Sequence, residues 1–397
     1  MGTGIFLNVP AHGHINPTLP IVNELVKRGE TILYFSLEEF REKIEKTGAE
    51  FRPYSSQELE EAVAPNGNYV RLTKRLLQAT ERILAENIDY IKTLNPDYII
   101  HDSMSPWGKY MAKYLGIKAI NTTSTFVFTG EATNKAAGFK YRILKMAFAE
   151  GPGEIFKILS LKRRLRIKYG INPQIMDLFR NNEDLNIVFT SSQFQPAGAV
   201  FGDQFKFIGP SIYGRGDSAA FSLAHMKGKK LIYVSLGTIA NEQLAFYQEC
   251  IKAFTGKDLH ILISVGNKID KNDLGPVPAN IFIENYVPQI KVLKQTSLFI
   301  SHGGMNSVNE SLYFGVPLLI LPQRVEQIMV AKRVEELGAG ICLIKNPITA
   351  GSLYKNSIRI METNSFYENA GKIGATFKAA GGYKVGVDTI LNYIYGV

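Results

Sequence analysis

Cysteine and tryptophan are nearly missing from this chain of 397 residues, which holds two Cys (Cys250 and Cys342) and one Trp (Trp107). Two cysteines make no disulfide framework, and they fall in helix-like and strand-like apolar contexts. Both read as buried thiols in a reducing compartment. No apolar stretch approaches the ~18 residues that span a bilayer. The opening MGTGIFLNVP lacks the basic start and long apolar core of a secretory leader, so the cytoplasm is the expected location. Familiar phosphate-binding loops are missing as well. No Gly-x-x-x-x-Gly-Lys-Ser/Thr occurs, and the Gly-x-Gly of MGTGIF precedes the first strand, with Leu7 where a dinucleotide fingerprint needs its third glycine. There is no Asp-x-Asp, so a metal bridging a diphosphate has no obvious ligands and no metal site is expected.

What is present is an ordinary globular balance, 45% hydrophobic and 20% charged residues, in a chain too long for one core. Two domains are expected. The net charge of +9 is concentrated in LKRRLRIKYG, residues 161–170. On a helix, Ile158, Leu161, Leu165 and Tyr169 share one face, while Lys162, Arg163, Arg164 and Arg166 flank or oppose it. A solvated helix face is the simpler reading, and contact of 161–168 with an anionic membrane is the alternative. No stacking aromatics are interleaved with the charges, so nucleic acid is not an expected partner.

The first half of the chain alternates strand and helix signals. GIFLNV (4–9), TILYFS (31–36), DYIIH (97–101), KAINT (118–122) and NIVFT (186–190) are apolar runs of the kind parallel strands need when both faces are covered. The helical period of Leu19, Val22 and Val26 opens with Asn16 as predicted N-cap and Pro17 at the first helical position. Residues 131–182 break the alternation and read as a helical insertion over the sheet; 209–229, rich in Gly and Ser, read as a linker. A second series follows: LIYVSL (231–236), HILISV (260–265), NIFIEN (280–285), SLFIS (297–301), VPLLILP (316–322) and GICLI (340–344). Residues 381–397 are helix-like. The expected architecture is two doubly wound α/β domains, 1–208 and 230–380, facing each other.

Two stretches carry chemistry. In FISHGGMNSVNESLYFGVP (299–317) an apolar run stops at His302, Gly303 and Gly304, and a helical pattern begins. A helix N-terminus offers unpaired N–H groups and partial positive charge, which suits an anion. The glycines admit a ligand to the backbone; His302, Asn306 and Ser307 can add donors, and Glu310 suits ribose hydroxyls. Ser235, Gly237 and Thr238 stand at another strand end, placed to reach the same phosphates. Together these parts suit a nucleoside diphosphate. In IFLNVPAHGHINPTLPIVNEL (5–25) a strand meets His12, Gly13 and His14 before a helix. Histidine, with an ordinary pKa of ~6.5, suits a base acting near neutral pH, and a carboxylate would orient it. Asp102 closes the strand-like DYIIHD, with His101 beside it pointing to the other face. On these residues alone either histidine could serve, and either could merely pack.

The stretch YVPQIKVLKQTSLFISHGGMNSVNESLYFGVPLLILPQRVEQIMVAKRVEELGAG, from Tyr286 to Gly340, resembles the donor-binding signature of family 1 UDP-sugar glycosyltransferases. VPAHGHINPTLPIVNELVKRG and FGDQFKFIGPS are similar to the bacterial macrolide and flavonoid branch, and the resemblance runs through nearly the whole chain in order. It implies the GT-B fold, two Rossmann-like domains across a cleft with the last helix crossing back to the first domain. It implies His14 as catalytic base and Asp102 as its partner. The uracil would lie on Tyr286, with the Val287 backbone at its edge and Gln289 nearby. Glu310 would take the ribose, and His302, Gly304, Asn306, Ser307 and Thr238 the diphosphate. Glu326 and Gln327 would hold the sugar hydroxyls. Plant members usually carry Trp in place of Tyr286 and Asp in place of Glu326.

The expectation is an inverting enzyme, free of metal and cofactor, that moves a hexose, glucose foremost, from a UDP-sugar to a hydroxyl of a small apolar acceptor such as a flavonoid, phenol or macrolide. Met104, Trp107, Phe126, Phe128 and the insertion would line the acceptor, although Trp107 and Phe126 read equally well as core. Readings from other classes are a GT-B isomerase acting on UDP-N-acetylglucosamine, a transferase for lipid acceptors at a membrane, and a non-catalytic nucleotide-sugar sensor.

Overall fold

The computed structural model describes residues 2–54, 69–127, 152–174, 178, 181–212, 221–226, 228–237, 242–344 and 347–396. They form two units, Met1–Ser211 with Gly381–Val397, and Ile212–Ala380. Of the insertion and linker read from the sequence, residues 131–151, 175–177, 179–180, 213–220 and 227 lie outside the described residues.

The first unit is built on seven strands: β1 (Thr3–Leu7), β2 (Thr31–Ser36), β3 (Glu50–Pro53), β4 (Tyr98–Asp102), β5 (Lys118–Thr123), β6 (Leu185–Val188) and β7 (Phe205–Phe207). They lie parallel in the order β3-β2-β1-β4-β5-β6-β7. The apolar runs occupy the middle, where Ile5, Phe6, Tyr98 and Ile99 lose all their exposure. The two edge strands went unread in the sequence. Glu50 and Pro53 in one and Lys206 in the other point to water, so neither strand has the continuous apolar signature of its buried neighbours.

The helix after β1 spans His12–Lys27 and is capped by Ala11, whose carbonyl accepts from His14 and Ile15 N–H at 2.9 Å each. This corrects the expected start at Asn16 and Pro17. Pro17 and Pro20 lie inside the helix. Pro17 offers no N–H to the helix, and it stands close to the exposed start at Gly13, where proline is tolerated. Burial of Ile15, Pro17, Thr18 and Leu19 outweighs the local preference for a later start.

The helix Gly382–Tyr395 belongs to this first unit. Val387, Ile390 and Ile394 share one buried cluster with Ile5 and Ile21. Gly382 N–H donates to the Ile208 carbonyl at 2.7 Å, Arg28 pairs with Asp388, and Lys118 Nζ donates to the Tyr393 and Ile394 carbonyls at 2.8 and 2.7 Å. The helix Pro152–Tyr169 buries Ile158, Leu161, Leu165 and Tyr169, the face read from its periodicity.

The second unit repeats the plan with six strands: β8 (Leu231–Ser235), β9 (His260–Ser264), β10 (Ile281–Glu284), β11 (Leu298–Ser301), β12 (Leu318–Ile320) and β13 (Gly340–Cys342). All are parallel, in the order β10-β9-β8-β11-β12-β13. Counted from its own first strand, this is the order of the first six strands of the other unit. Cys250 is buried and Cys342 half-buried, and both are free thiols.

Candidate active site

In a doubly wound sheet the strand order reverses at one point, and the loops leaving the strands there open a crevice at their carboxyl ends. In the first unit that point lies between β1 and β4. The chain leaving β1 delivers His14 in the first turn of its helix, and β4 ends on Asp102. Their side chains meet, His14 Nδ1 to Asp102 Oδ2 at 2.8 Å. The carboxylate is buried at 1% exposure while the imidazole keeps 15%. Asp102 is itself fixed, its Oδ1 accepting from Met104 N–H at 2.7 Å. A histidine that gives its Nδ1 proton to this carboxylate presents Nε2 as the basic atom, and the buried negative charge stabilises the imidazolium formed on proton uptake. Ser124, just beyond β5, brings its Oγ to 3.2 Å from the same Nδ1. The sequence reading missed it because one serine after a strand carries no signal.

The rival histidine is spoken for. His12 packs edge-on against Phe40, with Lys43 Nζ 3.4 Å from its Nδ1. Burial, helped by that cation, lowers its pKa to about 4, which leaves no carboxylate-assisted proton uptake near neutrality. His101 is fully buried and turned from Asp102's side chain, with Nε2 3.1 Å from Glu183 Oε1. Of the residues considered for an acceptor, Met104 is half-buried beside Asp102. Trp107 is core: it has no exposed surface and donates from Nε1 to Tyr54 Oη at 3.1 Å. Phe126 is buried against Phe194. Phe128 lies outside the described residues.

The second unit reverses its order between β8 and β11. β8 ends on Ser235 and β11 leads into His302, so these too stand at a switch point. His302 is wedged between glycines. A Cβ on Gly237 would come 2.7 Å from its Cε1, and one on Gly304 2.5 Å from its Nε2. Gly237 and Gly303 have φ of +79° and +84°, which side-chain-bearing residues rarely adopt. The His302 ring is buried against the Ser235 backbone at the end of β8. Gly304 caps the helix Met305–Tyr313 without a side-chain hydrogen bond, so the first-turn N–H groups, with Asn306 and Ser307 beside them, have no competitor from the cap.

Glu310 is buried at 4% and is held by Gln289, whose Nε2 donates to its Oε2 at 2.7 Å; Tyr233 Oη donates to Gln289 Oε1 at 3.3 Å. The carboxylate expected to take the ribose is thus aimed by the side chain expected near the base. Tyr286 is 76% exposed, and Val287 is buried. Glu326 is exposed in the first turn of the helix Val325–Glu336, and Gln327 accepts from Gln323 N–H at 2.9 Å. Thr238 lies outside the described residues.

Arg324 was overlooked in the sequence. Ser301 pairs with Ile320 and accepts from Leu321 N–H at 2.8 Å, so the turns after β11 and β12 run side by side. Arg324 caps the second helix, next to His302, and forms no ion pair or side-chain hydrogen bond among the described residues. Burial first, and this guanidinium second, lower the His302 pKa to about 4. The imidazole is therefore neutral near pH 7, and the guanidinium is the positive charge beside it.

These depressions set a stability profile. His12 and His302 stay neutral in the folded chain between about 4 and their ordinary 6.5, a range in which both take a proton when unfolded. The unfolded chain then binds more protons, so the full stability present above pH ~6.5 is lost progressively toward pH ~4. Calorimetric melting should be flat near neutrality and fall through that window, and His302→Asn should flatten the slope.

Residues 248–381 match the family described as erythromycin biosynthesis protein CIII-like, C-terminal domain. The uncharacterized UDP-glucosyltransferase YojK of Bacillus subtilis is 32% identical over 402 residues, covering 99% of this chain and 98% of the relative. The chain belongs to the family 1 glycosyltransferases. The NDP-glycosyltransferase YjiC of Bacillus licheniformis is 36% identical over 356 residues, 87% of this transferase and 86% of the relative. The crystal structure of the calicheamicin glycosyltransferase CalG4 superposes with a TM-score of 0.86 at 25% identity, over 99% of this transferase and 98% of that chain. The fold is GT-B. No described helix is long and apolar enough to cross a membrane.

Proposed function

We propose that this glycosyltransferase inverts configuration without a metal, moving a hexose, glucose foremost, from UDP to a hydroxyl of a small apolar acceptor. The observation that carries the reading is the 2.8 Å pair of His14 and buried Asp102, a base with its orienting carboxylate. His14 Nε2 would take the acceptor proton as the acceptor oxygen bonds the anomeric carbon. The bond from that carbon to the β-phosphate oxygen breaks on the opposite face, and UDP leaves with the electron pair. Its growing charge would be met by the helix N-terminus at Gly304, neutral His302 and Arg324. No trio of His, Cys, Asp or Glu suited to a metal occurs among the described residues. The apolar character of the acceptor rests on half-buried Met104, whose N–H binds the Asp102 that orients the base.

The test pairs UDP-glucose, UDP-galactose, UDP-N-acetylglucosamine and TDP-glucose with a flavonoid, a simple phenol and a macrolide, in EDTA, read by mass spectrometry. A hexosylated product made from a UDP-sugar and persisting in EDTA is expected. Loss of product in EDTA, or transfer from the TDP-sugar alone, would overturn the metal-free or the uridine assignment. Arg324→Gln should weaken UDP about tenfold, the scale of one charge-assisted hydrogen bond, and lower the salt sensitivity of binding in titration calorimetry.

A further inference from the structure

The helix Pro152–Tyr169 has an outward face that the transfer reaction does not use. Opposite its buried Leu165 runs a stripe of Phe156, Leu159, Arg163, Arg166 and Ile167, the positions that fall together at about 100° per residue. Phe156, Leu159 and Ile167 are 73, 57 and 74% exposed. A merely solvated face does not need three large apolar side chains at helical spacing.

The charges on the helix divide by flank. Lys157 pairs with Glu154, which also takes Lys74, and Arg164 reaches Glu81 through two nitrogens. Lys168 lies over the Tyr169 ring. Lys162, Arg163 and Arg166, on the stripe or at its border, have no acidic partner among the described residues. Glu154, the helix's one acid, is occupied on the other flank. Apolar side chains interleaved with unneutralised cations match the boundary of an anionic bilayer, where apolar groups enter the acyl region and cations stay among the headgroups. A second copy of this face would bring like charges together, and a nucleic-acid backbone would leave Leu159 and Ile167 with nothing to bury against.

We propose that this face is a docking surface for anionic lipid bilayers, holding the enzyme peripherally with the helix in the interface plane. The proposal is independent of the acceptor assignment. It is tested by sedimenting the full chain with vesicles of phosphatidylcholine alone and of phosphatidylcholine mixed with phosphatidylglycerol, at low and physiological salt. The protein should pellet with the mixed vesicles, less so as salt rises, and stay in solution with the neutral ones. R163Q/R166Q should lower partitioning about 25-fold, about fivefold per cation. F156S/I167S should release the protein even at low salt, while K157Q on the paired flank should bind as the parent does. All these positions are exposed, so unchanged melting temperatures will show the variants folded. Failure of the parent to pellet with mixed vesicles, or retention by either double variant, overturns the proposal. Self-association removed by F156S/I167S without any vesicle binding would make the face a protein interface and overturn it equally.

Discussion

Replacing His14 with alanine should cut sugar transfer by about 10³- to 10⁴-fold and leave UDP binding unchanged. Binding should survive because the residues assigned to the nucleotide belong to the other unit. The loss should also depend on the acceptor: a phenol that is already acidic needs less help from a base than an alcohol does, so it should lose less. Asp102→Asn tests the orienting role separately. In the parent, Asp102 Oδ1 holds Met104 N–H and Oδ2 faces His14 Nδ1. An asparagine that keeps the Met104 bond turns its NH₂ group toward His14 and forces Nδ1 to accept. The remaining proton then sits on Nε2, the atom that must take the acceptor's proton. A fall of about 10²-fold or more in kcat, with little change in donor KM, is expected. Equal turnover in the parent and His14→Ala would remove the base from the mechanism.

The other large effect should come from the glycines around His302. Gly304→Val would put a branched side chain on the imidazole, since even the first carbon would lie 2.5 Å from Nε2. The ring must leave or the helix N-terminus must shift, and either change removes donors from the anion. His302→Ala deletes one charge-assisted hydrogen bond and should weaken UDP by about tenfold to a hundredfold. Gly304→Val should exceed it, because it also fills the approach to the first-turn N–H groups. Titration calorimetry with UDP reads both. If both variants bind UDP as the parent does, the diphosphate lies elsewhere.

Much of this was legible in the chain because buried parallel strands have a loud signature: Ile5 to Leu7 and Leu298 to Ile300 are apolar without interruption since both faces are covered. Edge strands are quiet for the same reason, having only one covered side, and β3 and β7 were missed. Pro17 misled because propensity is local, while the helix start was decided by what Ile15 and Leu19 pack against. Trp107 and Phe126 could not be sorted between core and pocket by type, since an aromatic ring serves both, and both are buried. Arg324 escaped because its importance arises from strand pairing, which brings the turn after β12 beside His302, 22 residues earlier (324 − 302) in the chain.

The helix Gly382–Tyr395 has a consequence for how the protein is made. Its Val387, Ile390 and Ile394 close a core begun by Ile5, so the first unit lacks its last apolar strip until the ribosome has passed through the whole of Ile212–Ala380. Domains usually mature in order of synthesis. Here the unit translated first is completed last, and the half that carries His14 and Asp102 should reach its finished form only after the half that carries His302 has been made.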